Sequence, residues 1–127
     1  MKMLDTNYAL RFILRDNEET AQMVIDEIVS GVVLVSDAVL AEVVYVLSKV
    51  YKIERDIVSK SVMTFTETPN VMTQNQKVAR KSLQYYSETS FDFVDCLLAA
   101  YHYEEDHEIC TFDKKLKKFI DRMDSEK

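Results

Sequence analysis

Val32-Val33-Leu34-Val35 is an unbroken apolar run rich in β-branched residues, and it predicts a strand buried on both faces of a parallel sheet. On either side the apolar positions recur with a helical period. Lys2 to Asp5 reads as a short strand entering a helix over Thr6 to Leu14, with Leu10, Ile13 and Leu14 on one face. Asp16, followed three residues later by Glu19, has the form of a capping box. The second helix it would open carries Met23, Val24 and Ile28 and stops at Gly31, a C′ residue. Ser36 then caps a long helix whose core side is Val39, Leu40, Val43, Val44, Leu47 and Val50.

A further helix is expected from Glu54 to Phe65, Pro69 interrupts it, and Asn70 to Thr73 has the length of a strand. Helical period returns through Val78, Leu83 and Tyr86. After Thr89-Ser90 it predicts a helix from Asp92 to Glu104 that buries Val94, Leu97, Leu98 and Tyr101. Glu108 to Phe112 reads as a final short strand, followed by a basic helix from Asp113 to Ile120. Strands separated by one or two helices imply an α/β fold, with a parallel sheet covered on both sides.

Composition narrows this further. One Gly and one Pro in 127 residues leave little material for turns, which argues against a sandwich or barrel of many hairpins. Apolar residues make up 47% of the chain, enough for the core of a single domain over residues 1–127. Cys96 and Cys110 both stand in apolar stretches without metal-ligand spacing, so two buried free thiols are expected. Met1-Lys2-Met3-Leu4-Asp5 meets a carboxylate too early for a secretory signal, and no apolar run reaches the roughly 18 residues of a membrane span. The expected location is cytoplasmic. A net charge of −6 counts against nucleic-acid binding, unless the acids are gathered where divalent cations cancel them.

The acids do fall in telling places. Ligands of an open parallel sheet bind beyond the carboxyl ends of its strands. Asp5 ends the first strand and Asp113 follows the last, so both would lie on one rim if those strands are neighbours. Glu42 stands among Val39, Leu40, Ala41, Val43 and Val44, where burying a carboxylate is costly without compensation. Asp95 is flanked by Val94, Cys96, Leu97 and Leu98, with Asp92 one turn earlier. Asp5, Asp92 and Asp113 also have an ordinary reading as helix caps. Glu42 and Asp95 do not sit at helix starts. Four carboxylates on one rim point to a site for a hard cation, Mg2+ or Mn2+, which takes oxygen ligands and activates water against a phosphodiester.

The segments Met3-Leu4-Asp5-Thr6-Asn7, Ala41-Glu42-Val43-Val44, Phe91-Asp92-Phe93-Val94-Asp95-Cys96-Leu97-Leu98-Ala99-Ala100 and Thr111-Phe112-Asp113 resemble, in order and spacing, the motifs of PIN domains. The likeness is greatest to the VapC-type toxins of bacterial toxin–antitoxin pairs, and it covers essentially the whole chain. It implies a three-layer α/β/α fold around a central parallel sheet of four or five short strands. It also implies a Mg2+- or Mn2+-dependent endoribonuclease that acts on RNA, forms a homodimer and is neutralised by a small VapB-like antitoxin. Asp5, Glu42, Asp95 and Asp113 would take the acidic roles, with Asp5, Asp95 and Asp113 on the metal. Asn7 and Thr111 would support the pocket, and Asp92 could exchange roles with Asp95.

Other signals are weaker. Lys114, Lys115, Lys117 and Lys118 suit a phosphate-gripping patch or a plain solvated helix face. The pairs Tyr85-Tyr86 and Tyr101-Tyr103 have the spacing of core or dimer contacts more than of base-stacking residues. Tyr8, Phe12, Met23 and Ile25 are candidates for a dimer or antitoxin surface. One rival is a catalytically silent RNA- or protein-binding module on the same scaffold. A phosphoryl-transfer domain of the receiver or haloacid-dehalogenase type is disfavoured by Asn7, where the latter wants a second Asp, and by the lack of a lysine-bearing final strand.

Overall fold

A computed structural model describes residues 1–126. Three short strands, β1 (Lys2–Met3), β2 (Val33–Val35) and β3 (Val71–Thr73), form a parallel sheet in the order β1-β2-β3. Lys2 pairs with Val33, Val33 with Val71 and Val35 with Thr73. The Leu4 N–H donates to the Leu34 carbonyl at 2.9 Å and carries the β1 contact one residue further. Around the sheet run α1 (Thr6–Leu14), α2 (Glu18–Ser30), α3 (Asp37–Tyr45), α4 (Arg55–Thr66), α5 (Gln76–Glu88), α6 (Phe93–Glu105) and α7 (Lys114–Glu126).

Local chemistry explains most boundaries. Ser36 caps α3 by accepting from the Val39 N–H at 3.2 Å, and Asn75 caps α5 by accepting from Val78 at 3.1 Å. The cap of α2 is Asn17, which accepts from Thr20 at 3.0 Å; the expected cap, Asp16, instead pairs with Arg11 at 3.0 Å. Gly31 does end α2, but in an extended conformation with open space where a Cβ would lie, so any small residue would serve there. Asn70, at φ 71°, makes the left-handed turn into β3.

One apolar cluster runs from Leu4 to Met123. Val33 and Val35 of β2, two residues apart and so on one face, are fully buried at its centre. Leu34 on the other face is only partly buried and Val32, ahead of the strand, is exposed, so the strand is not buried on both faces as expected. Phe65 of α4, 1% exposed, packs its ring 5.4 Å from that of Phe12 on α1. α1 also packs on α2 and α3, while α5 lies between α4 and α6, and α7 closes on α6.

Several expectations are corrected. The sheet has three strands among the described residues, because Glu108–Phe112 joins no ladder. Two-residue β1 offers that segment little edge to pair with. Turns hold it instead: Asp106 closes α6 at φ 57°, and the His107 carbonyl lies 2.7 Å from His102 Nδ1. Cys110 and Phe112 face solvent as a result, so only Cys96 is a buried thiol. On α6 the buried stripe is Phe93, Cys96, Leu97 and Ala100, one position round from the expected face, which leaves Val94 and Leu98 exposed. The long helix after Ser36 changes winding at Val46–Val50, a π turn closed by Tyr51 N–H to the Val46 carbonyl at 3.1 Å. That extra residue rotates Val50 out of the core. Phe12 is likewise core; Tyr8 and Met23 are the exposed members of the surface expected there. No helix of the described residues is long and apolar enough to cross a membrane.

Candidate functional site

In a parallel sheet all strands deliver their carboxyl ends to one rim, and here the chain leaves those ends at Asp5, Asp37 and Gln74. Asp5 accepts the Tyr8 N–H at 2.9 Å and so caps α1. Asp113 does the same for α7, its Oδ1 accepting from Lys115 at 2.9 Å and Leu116 at 3.1 Å. Thr111 steadies that turn, its hydroxyl oxygen accepting the Asp113 N–H at 3.0 Å. Capping uses Oδ1 in both aspartates, which fixes each carboxylate and leaves Oδ2 for another partner. The ordinary reading of these two residues therefore holds, and it is compatible with ligand binding.

Asp92 stands at the start of α6 but caps no backbone N–H with its side chain. Nor does it form a capping box with Thr89, whose hydroxyl donates to the Tyr85 carbonyl at 2.8 Å and accepts from Phe91 N–H at 3.3 Å. Asp95, one turn on, is half-buried. Its carboxyl is raised from its ordinary value, first by burial and then by the negative charges of Asp113 and Asp92. Three acids from two distant parts of the chain thus share one electrostatic field.

Glu42 is placed differently. It is exposed on α3, so the cost of burial that singled it out in the sequence does not arise. Neither Glu42 nor Asp5 contributes to the shift of Asp95. Asn7 is exposed in the first turn of α1 and hydrogen-bonds to none of these acids. Among the described residues no three His, Cys, Asp or Glu side chains converge on one point at metal-binding spacing. By chemistry the donors still fit Mg2+ or Mn2+, since all are carboxylates and mutual repulsion at Asp95 is what a divalent cation relieves.

Two neighbours of the site gave no clear signal in the sequence. Asp37, immediately after β2 and Ser36, accepts a hydrogen bond from the Tyr101 hydroxyl and ties the start of α3 to α6. That bond, with burial, pushes the Tyr101 phenol up to about 12. The position of Asp37 at a strand end was the available clue. Arg55 opens α4 and donates to the carbonyls of Tyr86 and Phe91, while its guanidinium stacks 3.6 Å from the centre of the Tyr86 ring. It thereby fixes the loop that leads into Asp92 and Asp95. Nothing in its own sequence neighbourhood marked it. The tyrosine pair Tyr85-Tyr86 is buried, as its spacing suggested.

Asp92, Asp95 and Arg55 also line a groove. Ala41, Val44, Tyr45, Ser48 and Lys49 form one side, Asp92, Val94 and Asp95 the other, and the space between them is about 450 Å3. No curated protein and no solved structure matches the chain significantly. A PIN domain family model, by contrast, matches residues 2–121, the span that holds β1, the groove and all the acids above. With a parallel α/β sheet and that match over nearly its whole length, the chain belongs to the PIN domain family, whose members are generally metal-dependent nucleases.

Proposed function

We propose that this chain works as one PIN unit, helices on both faces of its sheet, and hydrolyses RNA phosphodiester bonds with Mg2+ or Mn2+. The observation that carries the reading is the crowding of like charge at Asp95, where burial, Asp113 and Asp92 all disfavour the ionised form. Folding gains nothing from that arrangement, and a cation site needs it. A bound divalent ion would polarise the scissile phosphate and make a water more acidic.

The protein groups have distinct parts. Asp95 and Asp113 would hold the cation, with Asp113 pre-oriented by its two capping bonds. Asp5, fixed at the end of β1, is the third donor. Glu42 would orient the water or serve a second ion. Thr111 positions Asp113 through its backbone, and Asp92 stands ready to exchange with Asp95. The order of the acidic motifs further supports the toxin of a VapBC-type pair, with a homodimer and a small VapB-like antitoxin as partners in the cytoplasm. Tyr8 and Met23, both exposed, are the residues to mutate when mapping those contacts.

A second reading, a silent RNA- or protein-binding module, draws on the absence of three converging donors among the described residues. Incubation of the purified protein with labelled single-stranded RNA separates the two. Cleavage that appears with Mn2+ and stops with EDTA is expected. Binding without any Mn2+-stimulated cleavage would establish the silent module.

A further inference from the structure

The groove beside the acids carries more than the acids. Its α3 side ends in the π turn, where Tyr45 is 62% exposed and Lys49 reaches the same space. An aromatic of that size left in water on a groove wall is unused by the core. Helical segments wound with an extra residue per turn are costly and recur at functional sites. Arg55 lines the groove as well, held by two carbonyls and by the Tyr86 ring, so its charge is pre-organised. Among the described residues neither Lys49 nor Arg55 belongs to an ion pair, although Asp92 and Asp95 line the same groove.

We infer that this groove is the track for a single nucleic-acid strand running into the acidic site. Lys49 and Arg55 take backbone phosphates, and the Tyr45 ring stacks on a base next to the scissile bond. An open aromatic face plus fixed cations is how single strands are bound without sequence readout. A paired base offers no free face to Tyr45, so duplex RNA is a poor ligand here. In a chain of net charge −6, two cations without ion-pair partners beside Asp92 and Asp95 give this groove local charge complementarity to phosphate. The inference rests on the nuclease reading but does not share its test.

Binding is measured by fluorescence anisotropy with a labelled single-stranded 12-mer RNA on the full chain carrying Asp113→Asn, which keeps the RNA intact. Adding Lys49→Glu is expected to weaken binding at least ~10-fold, and Tyr45→Ala several-fold, roughly the loss of one stacked base. Lys49→Ala should lower the slope of log affinity against log salt by about 0.7, one single-strand phosphate contact. Both side chains are exposed, so melting temperatures should not move. A hairpin duplex of equal length should bind more weakly than the single strand. In the cleaving wild-type background the same changes should raise KM and leave kcat within about twofold. Unchanged affinity, salt slope and KM in an active enzyme would overturn the groove assignment alone, and equal binding of the duplex would overturn its single-strand part. If the wild type binds through Tyr45 and Lys49 but never cleaves, the groove stands and the nuclease reading falls.

Discussion

Asp95→Asn is expected to cut RNA cleavage at least ~100-fold while leaving the protein as stable as before or slightly more so. The two effects share a cause. In the folded protein the ionised Asp95 side chain is disfavoured by partial burial and by Asp113 and Asp92, so its carboxyl binds a proton more tightly than in the unfolded chain. A group shifted upward in this way costs stability at neutral pH, and that cost disappears as acid protonates it in both states. Asparagine removes the charge at every pH. Because the side chain is half-buried and water screens it, the gain is a few tenths of a kcal/mol, about 1 at most. The stability gap to wild type should be open at pH 7 and close as pH falls through the carboxylate range. Urea denaturation at pH 7 and pH 3.5, beside a cleavage assay, checks both halves. A variant that is clearly destabilised, or that still cleaves at full rate, would remove Asp95 from its role.

The largest stability effect belongs to Phe65→Ala. Phe65 is the largest fully buried side chain, and it joins α4 to Phe12 on α1 within the cluster that also buries β2. Removing the ring takes away its transfer free energy and leaves a cavity that helices fixed at both ends cannot close. The expected loss is about 3–5 kcal/mol, a large share of the roughly 5–15 kcal/mol available to a domain. A urea midpoint that falls with an unchanged slope would show it; a loss under about 1 kcal/mol would mean that α1 and α4 repack freely. The ring touches none of the acids, so residual activity at low temperature should persist.

Much of this was readable from the residues, where one local rule dominates. Ser36 and Asn75 cap helices because a side-chain oxygen satisfies an exposed N–H, and Ser36 was visible in the sequence for that reason. The apolar run gave the central strand, Val33 to Val35, although Val32 falls outside it and is exposed. Periodicity failed where two faces of a helix are both apolar, as on α6: Val94 and Leu98 match Phe93 and Leu97 in hydropathy, and tertiary packing chose between them. It failed again at the π turn, since no residue type encodes a change of winding. Glu108–Phe112 has strand-like composition, but a strand needs an edge, and β1 is too short to supply one. Asp95 stood out because an acid in an apolar stripe is costly, whereas Asp113 was singled out as following a strand at Glu108–Phe112 that does not form. Arg55 was missed because its importance lies in carbonyls 31 and 36 residues away.

Everything functional depends on Asp95 and Asp113 forming one cation site with the acids of the rim. Calorimetric titration of Mn2+ into the apo protein, and into the Asp95→Asn, Asp113→Asn double variant, measures that directly. Saturable binding to the wild type that vanishes in the double variant, with its circular dichroism unchanged, is expected. Equal Mn2+ affinity in both proteins, or none in either, would contradict it.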